Sequence, residues 1–212
     1  LVTFVHPNSP AAEAKVPVGA ILLRLQVPGQ PLPVEVTLEE DYRRAQPFPW
    51  DRLDEVTEQY FDRIPTPWAP VENGFTRALT DLGFGTRFMA EFIVDGQVLA
   101  PEFDVVVGPT HYDSAPRYKA DAVGLTVRDL SYDVRRYLQR PTSEPGVVVS
   151  KIEPGSRASV AGVKPYEVIT HINEQPVQNV KDFERLVSAG GELKLSINRM
   201  TRNRIVSLKA DA

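Results

Sequence analysis

The sequence predicts an α+β protein made of two copies of one small domain built from strands and short helices. Three observations carry that prediction: short motifs recur in the same order, strand-like runs alternate with short helical stripes, and Pro is frequent, 19 in 212 residues. A chain of this length holds one large or two small domains, and abundant Pro favours many short elements over long helices.

The repeat comes first because it organises everything else. Val5-His6-Pro7-Asn8-Ser9-Pro10-Ala11-Ala12-Glu13-Ala14-Lys15-Val16 lies over Ile152-Glu153-Pro154-Gly155-Ser156-Arg157-Ala158-Ser159-Val160-Ala161-Gly162-Val163 and shares Pro, Ser, two Ala and Val. Ile21-Leu22 then falls on Val168-Ile169 at the same spacing, Gln30-Pro31-Leu32 matches Gln175-Pro176-Val177, and Phe75 to Leu79 matches Phe183 to Val187.

In the second copy, Val147-Val148-Val149 follows Pro145-Gly146 and reads as a buried strand. Pro154-Gly155-Ser156 turns the chain, and Ser156 is placed to cap a short helix whose Ala158 and Ala161 permit close packing. Val168, Ile169 and Ile172 begin the next strand. From Asp182 a helix carries Phe183, Leu186 and Val187 on one face and ends at Gly190-Gly191. Leu193, Leu195 and Ile197 alternate with polar residues as a half-buried strand, and a hairpin through Thr201 to Arg204 returns into Ile205 to Leu208. Ser131 to Leu138 reads as an added short helix. In the first copy, Phe88, Ala90, Phe92 and Val94 form the corresponding strand, Asp95-Gly96 its turn, and Phe103, Val105 and Val107 the return.

These residues resemble the PDZ domains that follow the protease domain of HtrA/Deg-like, trypsin-fold serine proteases. The pattern Gly-Val-x-Val-x-x-Ile-x-Pro-Gly-Ser-x-Ala-x-x-Ala-Gly-Val runs from Gly146 to Val163, followed by Val168-Ile169-x-x-Ile172-Asn173 and the later helix. The resemblance covers about 118–210, and less closely 1–32 and 75–107. It implies two PDZ-like, partly open β-barrels with short helices: a first domain over 1–108, a linker over 109–117 and a second domain over 118–212. The first copy lacks the opening strand and carries an insertion at about 33–74. There Asp51 is placed to cap a helix with Leu53, Val56, Tyr60 and Ile64 on one stripe, either buried on a PDZ core or forming a lid or docking surface. The family's Gly-Asp before the Val-Ile pair is replaced by Tyr166-Glu167 and by Gly19-Ala20.

Net charge is −4, so a nucleic-acid partner is not expected. No apolar run reaches the length of a membrane span, and Cys is absent, which excludes disulfides and thiolate metal sites. The chain opens on Leu rather than Met, as a cut or processed fragment would. No nucleophile motif is legible: Gly-x-Ser-x-Gly, Gly-Asn-Ser-Gly-Gly, Ser-x-x-Lys and His-Glu-x-x-His are all missing. His6, His111 and His171 fall at a turn, a linker and a strand, and neither a catalytic residue nor a metal or other cofactor is expected in the fragment. Arg199, Arg202 and Arg204 read as a solvated hairpin tip, with contact to phosphate or an acidic partner as the other reading.

A binding site is the better expectation. A sheet edge over Leu125-Thr126-Val127 could accept an added strand, with Val123 and Gly124 turning loop amides toward a terminal carboxylate. Lys119 or Arg117 would add charge, and Phe183, Leu186 and Val187 would form the opposite wall. The alternative for those three is core packing. The resemblance implies an upstream protease domain, capture of peptide or unfolded-protein C-termini in protein quality control, an extracytoplasmic location, and oligomers built by the upstream domain. Two rivals remain: a non-enzymatic PDZ scaffold, and the PDZ region of another protease class, a membrane metalloprotease or a carboxy-terminal processing protease.

Overall fold

A computed structural model describes residues 1–34 and 48–210. The part of the expected insertion at 35–47 lies outside the described residues. The chain divides into two compact units, one from 1–45 with 70–108, the other from 46–69 with 109–212. Residues 46–69 thus interrupt the first unit in sequence but belong to the second.

The first unit opens on helix α1 (Pro10–Glu13), where Ser9 Oγ accepts from the Ala12 amide and Pro10 supplies the preset φ of a first helical turn. Strand β1 (Ile21–Gln26) follows, then helix α2 (Gly74–Leu82), capped by Asn73 and Thr76 in a reciprocal box. Strands β2 (Arg87–Val94), β3 (Gln97–Leu99) and β4 (Glu102–Asp104) complete it. Strand β2 pairs antiparallel with β1, β3 and β4, and its alternate residues Phe88, Ala90 and Phe92 face a core with Leu25, Val27, Phe103 and Val105.

The second unit contains strands β5 (Arg117–Ala120) and β6 (Leu125–Asp129), helix α3 (Tyr132–Tyr137), β7 (Val147–Ile152), helix α4 (Arg157–Val160), β8 (Val168–Ile172), β9 (Gln175–Pro176), helix α5 (Val180–Ser188), β10 (Gly191–Arg199) and β11 (Arg202–Ala210). Its sheet runs in the order β11-β10-β8-β7-β6-β5 with β9 on β8; among the described residues the two ends of that order do not pair, so the sheet curls without closing. The mixed architecture of two sheets and a few short helices is the one the sequence predicts.

The repeat is visible in the local structure. Helices α1 and α4 are each four residues long and capped by a Ser hydroxyl accepting the amide three positions on. Helices α2 and α5 are each nine residues long and capped by Asn73 and Asn179. The caps align Phe75 with Lys181 rather than with Phe183, because the apolar stripe of the two helices starts at a different phase.

The insertion differs from its expectation. Instead of one α-helix from Asp51 there are two 3-10 helices, Trp50–Glu55 and Glu58–Arg63. The backbone is extended at Val56 (ψ 123°), which breaks the helical period, turns Tyr60 outward at 46% exposure and brings Phe61 inward instead. Leu53, Phe61 and Trp68 are all buried; Phe61 joins the main core of the second unit, and Val56 and Ile64 pack against it.

Arg199 and Arg204 are not a solvated tip. Glu167 is fully buried and accepts from Arg199 Nε at 2.9 Å and Arg204 Nη2 at 2.8 Å, while the other nitrogens of Arg199 grip Asp54 in a two-pronged contact at 2.9 Å each. The acidic partner of this cluster is the chain itself. The same network explains the departure from Gly-Asp at Tyr166-Glu167. Tyr166 holds the left-handed conformation (φ 66°) that Gly would adopt more easily, and its ring is fixed against Trp68 while its hydroxyl donates to the Ile64 carbonyl at 2.6 Å.

Candidate functional site

The site begins with the turn between β5 and β6. Gly124 has φ 71°, and a Cβ there would lie 2.2 Å from Ser156 Cβ, so both the backbone conformation and the close approach of the α4 cap require glycine. The turn directs two consecutive amides at one acceptor: the Ala120 carbonyl receives the Val123 N–H at 3.2 Å and the Gly124 N–H at 2.9 Å. The carbonyls of Val123 and Gly124 accept in turn from the amides of Ala158 and Glu153.

Beyond the turn, Leu125-Thr126-Val127 does form a strand against β7, but its other margin is not open. Strand β5 pairs with it antiparallel, Ala120 opposite Leu125, Lys119 opposite Thr126, Tyr118 opposite Val127 and Arg117 opposite Arg128. The expectation of an unpaired edge is therefore corrected: four residues of the chain's own backbone occupy it. Short-range hairpin closure favours this arrangement, because only Asp121 to Gly124 separate the two strands.

Helix α5 turns its apolar face into the core of the second unit. Phe183, Leu186 and Val187 are 0%, 7% and 3% exposed and share one core with Val123, Leu125, Val127 and Ala120. The Tyr118 ring meets that of Phe183 edge-on at 6.3 Å between centroids. Strand β5 thus lies between β6 and α5, with Tyr118 and Ala120 turned into the unit and Arg117 and Lys119 exposed. Lys119 pairs with Asp121 at 2.6 Å and Glu153 at 2.9 Å, and the hydrogen bond it donates to Asp121, then that to Glu153, raises its pKa. Asp129, at the far end of β6, accepts the Val180 amide at 2.6 Å and so ties strand to helix; burial pushes its carboxyl upward.

Of the residues named from the sequence, Val123, Leu125, Val127, Phe183, Leu186 and Val187 share one core around β5, whereas Arg117 and Lys119 are exposed. Sequence reasoning missed Tyr118 and Ala120 as the contents of the slot between β6 and α5 and Asp129 as the clamp. The signal for the first was the alternation Arg-Tyr-Lys-Ala ahead of Gly124. His171 Nδ1 lies 3.0 Å from Thr170 Oγ1, and His111 stands at the cap of a short 3-10 turn. Among the described residues, no cluster of His, Cys, Asp and Glu is placed to hold a metal ion, and no helix is long and apolar enough to cross a membrane.

A family model for a PDZ-like domain matches residues 116–189, from β5 to the end of α5. That stretch resembles the PDZ domains of HtrA-like serine proteases. A probable periplasmic serine endoprotease, DegP-like, from Pseudomonas putida is 23% identical over 209 residues, covering 99% of this chain and 34% of its own length. One from Chlamydia trachomatis is 26% identical over 129 residues, 60% of this chain and 25% of its own. The chain therefore spans about a third or less of these relatives, which are named as periplasmic enzymes. Among solved structures, the HtrA3 PDZ domain bound to a phage-derived ligand (FGRWV) is 18% identical with a TM-score of 0.38, covering 45% of this chain and 86% of that one. The HtrA-type protease AlgW with tripeptide is 13% identical with a TM-score of 0.36, over 59% and 53% of the two chains. The second unit, which holds the matched stretch, also includes residues 46–69 from within the preceding unit's sequence.

Proposed function

We propose that this chain is the peptide-binding and regulatory PDZ region of an HtrA-like serine protease, and that its second unit captures C-terminal or extended segments of protein substrates by strand addition along β6. The observation that carries this reading is the position of β5. The slot between β6 and α5 accommodates an extended strand and presents two convergent amides to the oxygen at its end. An arriving peptide uses the same ladder after β5 swings out. The site residues in that exchange are Val123, Gly124, Leu125, Thr126 and Val127 on the turn and strand, and Phe183, Leu186 and Val187 on the helix. Lys119 leaves with β5, so it acts on access rather than as a ligand contact.

The names of the relatives support a protease domain upstream and an extracytoplasmic setting, in which the PDZ region would select unfolded-protein tails for cleavage. The test is a library of free-carboxylate peptides screened by fluorescence polarisation against the chain and against Lys119→Glu, which removes both ion pairs of β5. Binding that strengthens in the variant and is lost on amidating the peptide terminus supports the proposal. Absence of binding to both proteins overturns it.

A further inference from the structure

Resting on that reading, the register of β5 goes further and specifies the ligand. We infer that the slot selects peptides with a small final residue and an aromatic residue two positions before it, and that the segment Arg117-Tyr118-Lys119-Ala120 is a built-in competitor of this type.

The argument is one of register. A strand antiparallel to β6 with its end on the Val123 and Gly124 amides has a fixed alternation, because side chains point to opposite sides at each step. In β5 the terminal position is Ala120, 2% exposed and enclosed in the core with Leu125 and Phe183. A longer side chain at that position would have to displace packed neighbours, which disfavours large residues. Two residues earlier, Tyr118 faces the Phe183 ring, an environment that rewards an aromatic. The intervening Lys119 and the preceding Arg117 point outward. Lys119 meets Asp121 and Glu153, so a basic residue is accommodated at the penultimate position.

A strand tethered through only the Asp121 to Gly124 turn has an effective concentration on the order of millimolar. With a dissociation constant of its own of about 10 μM, the tethered strand lowers the apparent affinity of any incoming peptide by about 100-fold. Any change that weakens β5 without touching β6 or α5 recovers part of that factor.

The experiment uses the 212-residue chain and a fluorescein-labelled decapeptide ending in Arg-Tyr-Lys-Ala with a free carboxylate. It is titrated against the unaltered chain, Tyr118→Ser and Lys119→Glu; the second variant changes only an exposed side chain, so the test stands if the first does not fold. Both variants are expected to bind the probe at least tenfold more tightly than the unaltered chain. Replacing the probe's Tyr with Ser, or its final Ala with Leu, is expected to cost tenfold or more. Library peptides that bind the variants with no preference at these two positions overturn the inference while leaving peptide capture intact. No binding by any peptide to any of the three proteins overturns both.

Discussion

Arg199 grips Asp54 with two nitrogens at 2.9 Å each while its Nε contacts Glu167, so one guanidinium joins the inserted segment to a carboxylate inside the second unit. Arg199→Ala leaves that fully buried carboxylate with Arg204 and the Lys164 amide and frees Asp54. The expected cost is about 3 kcal/mol, at the low end for breaking a buried ion pair because Arg204 remains. Urea unfolding followed by Trp emission reads it directly; a loss below about 0.5 kcal/mol, the level of an exposed pair, contradicts the account.

The inserted segment is expected to loosen in acid. Hydrogen bonding from Arg199 holds the Asp54 carboxyl below its ordinary 3.8, and the Gly155 amide with the Ser159 hydroxyl holds Glu58 below 4.5. Groups with lowered folded values contribute fully above their ordinary values and lose that contribution as pH falls through the folded ones. Both Trp residues, Trp50 and Trp68, sit on this segment. Their emission should therefore shift to the red below about pH 4 and stay constant between about pH 5 and 8. Asp54→Asn should flatten the acid limb; a transition centred near pH 6 would point to other groups.

Gly124→Ala places a methyl group 2.2 Å from Ser156 Cβ on a left-handed backbone. Strain and overpacking together should destabilise the second unit by about 3 kcal/mol. Ser156→Gly in the same chain removes the steric part and should recover some of the loss, as measured by thermal unfolding.

The Tyr118 and Phe183 rings should be energetically coupled. A cycle of Tyr118→Ala, Phe183→Leu and the double variant is expected to return about 1 kcal/mol of interaction. A coupling indistinguishable from zero would mean that β5 rests on the domain without being held by α5.

Much of the fold was legible because its cues are local. Ser156 and the short helix it caps, the alternation through Leu193, Leu195 and Ile197, and the Pro154-Gly155 turn each declare themselves within a few residues. The contents of the slot were not, since Arg-Tyr-Lys-Ala satisfies equally well the pattern of an exposed lead-in and of a paired strand. The role of Arg199 was hidden for a different reason: its partner Asp54 lies 145 positions away, and no periodicity links them. Leu125, expected as an edge residue, is 1% exposed, so Leu125→Arg would unfold the domain rather than act as a clean block on binding.

Because residues 46–69 complete the second unit from within the first, the natural cutting point for a laboratory fragment is misleading. A piece begun at Pro109 would forfeit Leu53, Phe61 and Trp68, stripping the cover from Tyr166 and leaving Arg199 without Asp54. Anyone isolating the second unit must carry the upstream loop along, covalently or as a separate synthetic strip, to recover it intact.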